Sequence, residues 1–375
     1  MTRVLLTGKV FQLQHENYPS ITPLSPAELI STSHRNTRIL INLTGGSGFI
    51  AAHVLDILLK NGHTVITTVR SQAKADKIKS AHPDAGDKLS FKIVEDIAVE
   101  GAFDEAVKID GLEAVIHTAS PFHFNVTDTK KDLLDPAING TKGVLSAIKK
   151  NAPTVKRVVI TSSFASIVDA GKGTAPGYVY SEKDWNPVTE DQAGKDPSTG
   201  YRASKTFAEK AAWDFQEKEK PNFTIATLCP PLVLGPIVHY LNDLSALNTS
   251  NQRVRNLITG QNKESIPDTG VFLWTDVRDL ALGHVKAMEL PEAGGKRFFF
   301  TAGYFSNKEI AEIIRKNFPE YKDELPAEGV KGGDYPEGGV YGFDNKRAKE
   351  VLGIKFRGLE ESIVDLVKSL KDVGA

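Results

Sequence analysis

The feature that most constrains this chain is a glycine-rich turn between a short apolar run and an amphipathic helix. The run Ile39–Leu43 predicts a strand, and Gly45, Gly48 and Ala51 follow it at three-residue spacing. Gly45 allows a tight turn, Gly48 lets a pyrophosphate approach the backbone, and Ala51 is small enough for the helix to pack on the strand. The succession of strand, glycine turn and helix predicts a nucleotide-binding site.

Strands and helices alternate along most of the chain. Short β-branched runs predict strands at Ile39–Leu43, Thr64–Val69, Phe91–Val94, Ala114–His117, Arg157–Thr161 and Phe223–Leu228. Helical segments between them include Ile50–Lys60, Lys142–Lys150 and Tyr201–Lys218. Because the runs are apolar on both faces and separated by helices, the pattern predicts an α/β fold with a doubly wound parallel sheet of the Rossmann type.

The regularity ends at Pro230, after which prolines and glycines punctuate the chain up to a final predicted helix, Leu359–Leu370. We therefore expect three parts. Residues 1–37 are expected to be a poorly ordered N-terminal extension, and residues 38–230 the nucleotide-binding domain with the catalytic side chains. Residues 231–375 are expected to form a smaller substrate-binding lobe, partly interleaved with that domain.

The glycine turn and the end of the second predicted strand together indicate which nucleotide binds. The helix N-terminus at Phe49 and Ile50 offers N–H groups and a partial positive charge to phosphates. Arg70 closes the second strand, Lys74 follows it, and residues 64–74 contain no Asp or Glu. NAD enzymes place an acidic residue here for the ribose 2′-hydroxyl, whereas an arginine suits a 2′-phosphate. We expect NADPH as the cofactor; the alternative for Arg70 is a solvated surface charge.

A tyrosine and a lysine at helical spacing form the candidate catalytic pair. Tyr201 and Lys205 lie at positions i and i+4 of a predicted helix, so their side chains share one face. A phenol with a pKa of about 10 is a poor acid–base group unless a neighbouring ammonium stabilises its ionised form. Ser162 and Ser163 close the fifth predicted strand, at the edge where doubly wound sheets bind ligands. A surface Tyr–Lys pair is the alternative, and the order of glycine turn, serine and Tyr-x-x-x-Lys disfavours it.

Taken together, these motifs resemble the extended short-chain dehydrogenase/reductase family. The similar branch contains plant dihydroflavonol and cinnamoyl-CoA reductases and the yeast-type methylglyoxal or isovaleraldehyde reductases. Four further stretches fit that branch: His117–Pro121, Asn139–Thr141, Asp276–Asp279 and Phe343–Asn345. The resemblance extends from Arg38 to the C-terminus and implies an NADPH-dependent carbonyl reductase.

The resemblance also implies roles for individual residues. Tyr201 is expected to donate the proton, Lys205 to hold the nicotinamide ribose and lower the tyrosine pKa, and Ser163 to bind the carbonyl oxygen. Ser163 is preferred to Ser162 because the family's serine is the second of the pair. Further cofactor contacts are expected at the adenine (Asp96 and Ile97), at the phosphates and ribose (Thr118 and Ala119, with Ser120 beside them) and at the nicotinamide (Pro230 and Val233).

Composition restricts the partners. The 375 residues carry 46 Lys and Arg against 47 Asp and Glu, a net charge of −1, which favours neither nucleic acid nor an anionic membrane. No apolar stretch approaches the roughly 18 residues of a membrane span, and the N-terminus lacks a secretory pattern. The single cysteine, Cys229, permits no intramolecular disulfide. We expect a cytoplasmic monomer or homodimer without a metal.

The expected substrate is a small apolar aldehyde or ketone. Phe122, Phe124 and Phe164 follow the ends of the fourth and fifth predicted strands, where they form either an apolar pocket wall or ordinary core. Two other functions fit the same fold. An NAD-dependent sugar-nucleotide epimerase or dehydratase is disfavoured by Arg70, and a non-catalytic NADP-sensing regulator is disfavoured because the tyrosine, lysine and serine are all present.

A duplicated half-motif lies at the N-terminus. Residues 4–8 (Val-Leu-Leu-Thr-Gly) already resemble a first strand that enters the glycine turn, and residues 43–45 (Leu-Thr-Gly) repeat their ending. Joining Gly8 to Gly46 restores one uninterrupted motif. We interpret Lys9–Thr44 as a segment foreign to the fold, such as a translated intron; the alternative is a genuine N-terminal extension. In either case we expect Ile39–Leu43, which is joined to the intact turn, to form the strand.

Overall fold

The computed structural model describes residues 38–120, 128–238, 244 and 247–374. The chain from Arg38 onward forms one compact unit. The N-terminal extension predicted over residues 1–37 lies outside the described residues. None of the described helices is long and apolar enough to cross a membrane.

Seven parallel strands form the central sheet, in the order β3-β2-β1-β4-β5-β7-β10. Their bounds are β1 Leu40–Thr44, β2 Thr64–Val69, β3 Leu89–Ile93, β4 Leu112–His117, β5 Arg157–Thr161, β7 Thr224–Cys229 and β10 Lys296–Phe299. The order reverses between β1 and β4, which is the topological switch point where doubly wound sheets bind their ligands. The six strands expected from sequence and the doubly wound fold are confirmed.

Helices cover both faces of the sheet, which is why its strands are apolar on both sides. On one face lie α1 Phe49–Lys60 and α7 Val277–Glu289, packed on alternate strand residues such as Ile116 and Val159. The opposite face carries α4 Asp135–Asn151 and α5 Pro197–Glu219. The remaining helices near the sheet are α2 Gln72–Ala81, α3 Asp104–Val107 and α9 Lys346–Leu352.

A second apolar cluster forms the smaller lobe. It joins a sheet of β11 Gly303–Tyr304, β9 Leu273–Asp276 and β8 Leu232–Leu234 to the helices α6 Thr249–Ile258, α8 Asn307–Asn317 and α10 Leu359–Asp372. A two-stranded sheet of β6 Val179–Tyr180 and β12 Gly342–Phe343 completes the set. Neither β10 nor α7 was predicted from the sequence; both follow residue 231 in the chain but belong to the central sheet and its helix layer.

The strand joined to the intact glycine turn occupies the centre of the sheet. β1 pairs with β2 through Leu40–Thr64 to Leu43–Thr67, and with β4 on its other side. Both edges of β1 are therefore paired with another strand. The prediction that Ile39–Leu43 provides the first strand is confirmed, with bounds displaced by one residue.

Asn42, in the middle of β1, is an amide within an apolar layer. It is fully buried, and its Nδ2 donates to the Ala106 carbonyl at 3.0 Å. Its Oδ1 has no hydrogen-bond partner among the described residues. A buried polar atom without a partner costs about 1–3 kcal/mol. The duplicated motif has Leu5 at the position that corresponds to Asn42.

Replacing Asn42 by leucine is expected to change the free energy of unfolding by less than about 1 kcal/mol, because removing the unpartnered Oδ1 is offset by leaving the buried Ala106 carbonyl oxygen without its donor. A chain in which Gly8 is joined directly to Gly46 places Leu5 at the same position and is expected to show the same small change. Thermal and denaturant unfolding measure both, and the isosteric Asn42→Asp, which buries a charge, is the destabilised control. A loss of stability in Asn42→Leu as large as that in Asn42→Asp would contradict this account of β1.

Candidate active site

The glycine turn is a cradle that side chains would fill. Gly45 has a φ of +74°, and a Cβ there would lie 3.0 Å from the Ala119 Cα. A Cβ on Gly46 would lie 2.0 Å from the Thr67 Oγ1, and one on Gly48 would lie 3.2 Å from the Gly45 carbonyl oxygen. The sequence did not predict a role for Gly46, because the side chain that leaves no room for a Cβ there is Thr67, on the neighbouring strand β2. The cradle fits a pyrophosphate that must approach the backbone closely.

The helix behind the cradle supplies the electrostatic part of the nucleotide site. α1 begins at Phe49, followed by Ile50, and its N-cap residue, Gly48, provides no side-chain cap. The first N–H groups and the positive end of the helix dipole therefore face the turn, as a phosphate requires.

Two cations follow β2 at the same edge of the sheet. Arg70 is exposed directly after the strand, and Lys74 is half-buried in the first turn of α2. Arg70 forms no ion pair with any residue in the described part of the chain. Its guanidinium is thus available to a ligand beside the glycine cradle.

The end of β4 is tied to the end of β1 by side-chain hydrogen bonds. The Thr118 hydroxyl donates to the Thr44 carbonyl oxygen at 2.6 Å, and the Ala119 N–H donates to the Thr44 Oγ1 at 3.3 Å. The same Thr44 Oγ1 lies 2.8 Å from the His117 Nδ1. Burial and the charge of Lys205 lower the pKa of His117 to about 4, so its imidazole is neutral. Thr44 and His117 were missed as site residues, since their role is to join two strands distant in sequence.

The residues predicted to contact adenine follow β3. Asp96 is exposed, and its Oδ1 accepts a hydrogen bond from the Ala98 N–H at 2.8 Å. Ile97 is half-buried and faces α4 at Gly140, where a Cβ would lie 3.3 Å from the Ile97 Cδ1. Gly140 thereby allows α4 to approach this loop.

The three predicted catalytic side chains come together at the carboxyl edge of the sheet. The Tyr201 hydroxyl lies 3.5 Å from the Ser163 Oγ. The Lys205 Nζ lies 5.8 Å from the centre of the Tyr201 ring and donates to the Ser120 Oγ at 2.7 Å. The Ser163 Oγ accepts a hydrogen bond from the Ala165 N–H at 3.1 Å, which leaves its own proton for another acceptor.

Burial shapes the charges of this group. Desolvation lowers the pKa of Lys205 to about 8. Desolvation also raises the pKa of Tyr201, and the hydrogen bond with Ser163 opposes that rise. The net shift of the Tyr201 pKa is therefore upward, while the Lys205 ammonium donates to the Ser120 Oγ; the lowering of the tyrosine pKa by Lys205 stays a prediction. A raised pKa keeps the phenol protonated at neutral pH, as a proton donor requires.

The residues predicted to face the nicotinamide follow β7. Pro230 is buried, and its carbonyl oxygen accepts from the Phe164 N–H at 2.8 Å, which fixes this turn beside the serine loop. Val233 lies in β8 and is also buried. Phe164 stacks on Phe299 with ring centres 5.0 Å apart, so it is core and not a pocket wall. Phe122 and Phe124 lie outside the described residues.

The chemistry of the site rests on hydroxyl and ammonium groups. Within the described ranges, no three His, Cys, Asp or Glu side chains are grouped so as to hold a metal ion. The lone thiol, Cys229, is buried, and desolvation raises its pKa to about 12. A thiol held in that form is a poor nucleophile.

Comparison with known proteins places the chain in a family. The model of the NAD dependent epimerase/dehydratase family matches residues 41–303. A ketoreductase from Aspergillus niger, azaE, is 51% identical over 333 residues, which is 88% of this chain and 96% of that protein. A cinnamoyl-CoA reductase from Medicago truncatula, CAD2, is 34% identical over 91% of this chain and 98% of that protein.

Solved structures agree with the sequence comparison. The crystal structure of yeast methylglyoxal/isovaleraldehyde reductase Gre2 complexed with NADPH superposes with a TM-score of 0.83 at 37% identity. The match covers 90% of this chain and 99% of the yeast protein. The chain therefore belongs to the NAD dependent epimerase/dehydratase family of extended short-chain dehydrogenases/reductases, in the branch of the ketoreductases and cinnamoyl-CoA reductases.

Proposed function

We propose that this protein reduces aldehydes and ketones to alcohols with NADPH, and that Tyr201 donates the proton. The observation that carries the proposal is the Tyr201 hydroxyl 3.5 Å from the Ser163 Oγ, on the same edge of the sheet as the glycine cradle. The relatives support the same chemistry: one is named a ketoreductase, and the yeast reductase was solved with NADPH.

The chain has the groups that NADPH requires. The glycine cradle and the start of α1 would hold the pyrophosphate, and Arg70 with Lys74 would hold the 2′-phosphate through charge-assisted hydrogen bonds. Asp96 and Ile97 would contact adenine. Ala119 and Ser120 would line the ribose, and Pro230 and Val233 would face the nicotinamide. When bound, NADPH supplies a hydride to the carbonyl carbon.

The side chains provide the proton and the electrostatics. The Ser163 hydroxyl donates to the carbonyl oxygen of the substrate, since the Ala165 N–H already occupies one side of its oxygen. As negative charge develops on that oxygen, the Tyr201 hydroxyl transfers its proton to it and is left as a phenolate. The Lys205 ammonium, on the same helix face, stabilises the phenolate and holds the nicotinamide ribose.

The proposed substrates are small or medium apolar carbonyl compounds. The yeast relative's name gives methylglyoxal and isovaleraldehyde as substrates of that enzyme, and both are suitable first probes here. Arg70 in place of an acidic residue disfavours an NAD-dependent epimerase activity. We further propose a cytoplasmic monomer or homodimer that binds neither nucleic acid nor membranes.

Tyr201→Phe is expected to lower kcat by about 10²–10⁴-fold, because it removes the general acid and keeps the ring. NADPH binding, measured by calorimetry, is expected to stay near the wild-type value. The rate is followed as NADPH consumption over a panel of small aldehydes, diketones, ketoesters and aryl ketones. Tyr178→Phe, which removes a hydroxyl bonded to Asp184, is the matched control. Near-normal turnover in Tyr201→Phe would refute the proton-donor role.

Arg70→Asp is expected to raise the KM for NADPH far more than the KM for NADH, because it replaces attraction to the 2′-phosphate by repulsion. Lys79→Asp reverses the sign of an exposed charge in the last turn of α2, and it is expected to leave the cofactor preference unchanged. Equal effects of Arg70→Asp on both cofactors would show that Arg70 does not contact the 2′-phosphate.

The kcat for reduction is expected to be constant below about pH 8 and to fall above it. With a pKa of about 8, Lys205 is an ammonium below that pH and loses its proton above it. The pKa of Tyr201 is raised, so the phenol remains protonated through the same range. Initial rates at saturating NADPH and constant ionic strength measure the profile. A rate that increases through pH 8 would contradict the assignment of Lys205.

A further inference from the structure

A buried ion pair lies beneath the catalytic helix. Glu209 is on α5, four residues after Lys205 and eight after Tyr201, so the three side chains share one side of the helix. The Glu209 Oε1 lies 2.7 Å from the Nε of Arg297, on β10, and their side chains are 1% and 8% exposed. The proposed reaction uses neither residue.

The two carboxylate oxygens of Glu209 face different elements. Oε2 accepts hydrogen bonds from the hydroxyls of Ser162 and Ser166, both at 2.6 Å. Oε1 accepts from the Thr227 hydroxyl on β7 at 2.7 Å and from Arg297. The Arg297 Nη2 also donates to Oε2, at 3.2 Å. Arg297 thus pairs with both oxygens, while the loop that follows β5 is bonded to Oε2 and Thr227 of the sheet to Oε1.

Ser163 lies between the two serines that Oε2 holds. The Ser166 N–H donates to the Ser163 carbonyl oxygen at 3.0 Å, and the Ser166 Oγ lies 2.7 Å from the same oxygen. The Ala165 N–H fixes the Ser163 Oγ. The backbone and the rotamer of Ser163 therefore depend on a short turn. Ser162 and Ser166, at the two ends of this turn, are both bonded to Glu209, which lies on the same helix as Tyr201.

Arg297 keeps that carboxylate charged and in place. Burial acts to raise the pKa of Glu209, but the charge and hydrogen bonds of Arg297, together with the hydrogen bonds of Ser162 and Ser166, outweigh it, and the pKa is lowered overall. The Arg297 Nη1 donates to the carbonyl oxygens of Glu182 and Asp184, both at 2.7 Å, and its guanidinium lies 3.6 Å from the centre of the Trp185 ring. Taking a pair of charges out of water is costly, and a buried pair contributes little net stability compared with apolar residues.

We propose that Glu209, held by Arg297, is a positioning residue that fixes the Ser163 hydroxyl opposite the Tyr201 hydroxyl. This proposal rests on the proposed function, because it assigns Ser163 and Tyr201 to the same substrate oxygen. We define the clamp as Ser162, Ser166 and the Glu209 Oε2. It sets the distance between Ser163, on the loop, and Tyr201, on α5. A loop free to shift by about 1 Å would lose the productive geometry at a cost of about 10²-fold in rate.

The test removes the clamp and keeps the Arg297 guanidinium paired with the Glu209 carboxylate. Truncating Glu209 itself would leave the Arg297 guanidinium buried without its carboxylate, which is strongly destabilising. The double variant Ser162→Ala/Ser166→Ala instead removes only two hydroxyls and keeps the ion pair. Thr227→Val is the matched control, because it removes a hydroxyl bonded to the other oxygen of the same carboxylate.

Two measurements are made on both variants: steady-state reduction of methylglyoxal and isovaleraldehyde with NADPH, and a crystal structure. In the double serine variant we expect kcat to fall by about 10–100-fold with an unchanged NADPH dissociation constant. We also expect the Ser163 Oγ to move out of hydrogen-bond distance of the Tyr201 Oη. Thr227→Val is expected to keep both the wild-type kcat and the 3.5 Å distance.

The outcomes separate the two proposals. If the wild-type protein reduces carbonyls and the double serine variant keeps its kcat, the clamp is refuted and the proposed function stands. A wild-type protein that reduces none of the substrates overturns the proposed function. In that case the crystal structure of the double serine variant still decides the clamp: an unmoved Ser163 refutes it, and a displaced one supports it. Equal losses in the serine and threonine variants would show a structural role only.

Discussion

The parallel pairing of β1, β4 and β5 is the constraint on which the rest of the structure depends. Parallel strands bring their carboxyl ends to one edge, so the glycine turn after β1, the Thr118–Ser120 segment after β4 and the serines after β5 meet there. Hydrogen bonds from Thr118 and Ala119 to Thr44 then fix β1 and β4 at this edge. A shift of one residue in either pairing would separate the cradle from the catalytic loop.

Two buried groups, the Tyr201 phenol and the Lys205 ammonium, determine the electrostatics of the site. A buried phenol resists ionisation and a buried ammonium loses its proton more readily. Tyr201 and Lys205 show both effects. The raised pKa keeps the phenol protonated, and the lowered pKa of the lysine restricts its charged form to neutral and acidic pH. In the proposed reaction the Ser163 and Tyr201 hydroxyls meet the same substrate oxygen, so their position relative to each other matters most.

Much of the fold and part of the site can be predicted from the sequence, because their signals are local. β-branched runs and a three-residue glycine spacing specify the strands and the cradle, and i, i+4 spacing places Tyr201 and Lys205 on one face. The pairing of Glu209 with Arg297 joins residues 88 positions apart, and nothing local marks it. β10 was missed because its sequence, Lys-Arg-Phe-Phe, contains no β-branched residue. The direction of the Lys205 ammonium was missed because it depends on Ser120, on another strand's loop.

In the proposed reaction this site transfers a hydride from NADPH to a carbonyl carbon while Tyr201 protonates the oxygen. The most direct measurement uses NADPH deuterated at the transferred position and analyses the alcohol product by mass spectrometry and NMR. We expect one deuterium, bound to the carbinol carbon of the product, and a single stereochemical outcome at a prochiral ketone. An alcohol without deuterium, formed while the labelled cofactor is consumed, would contradict the proposed reaction.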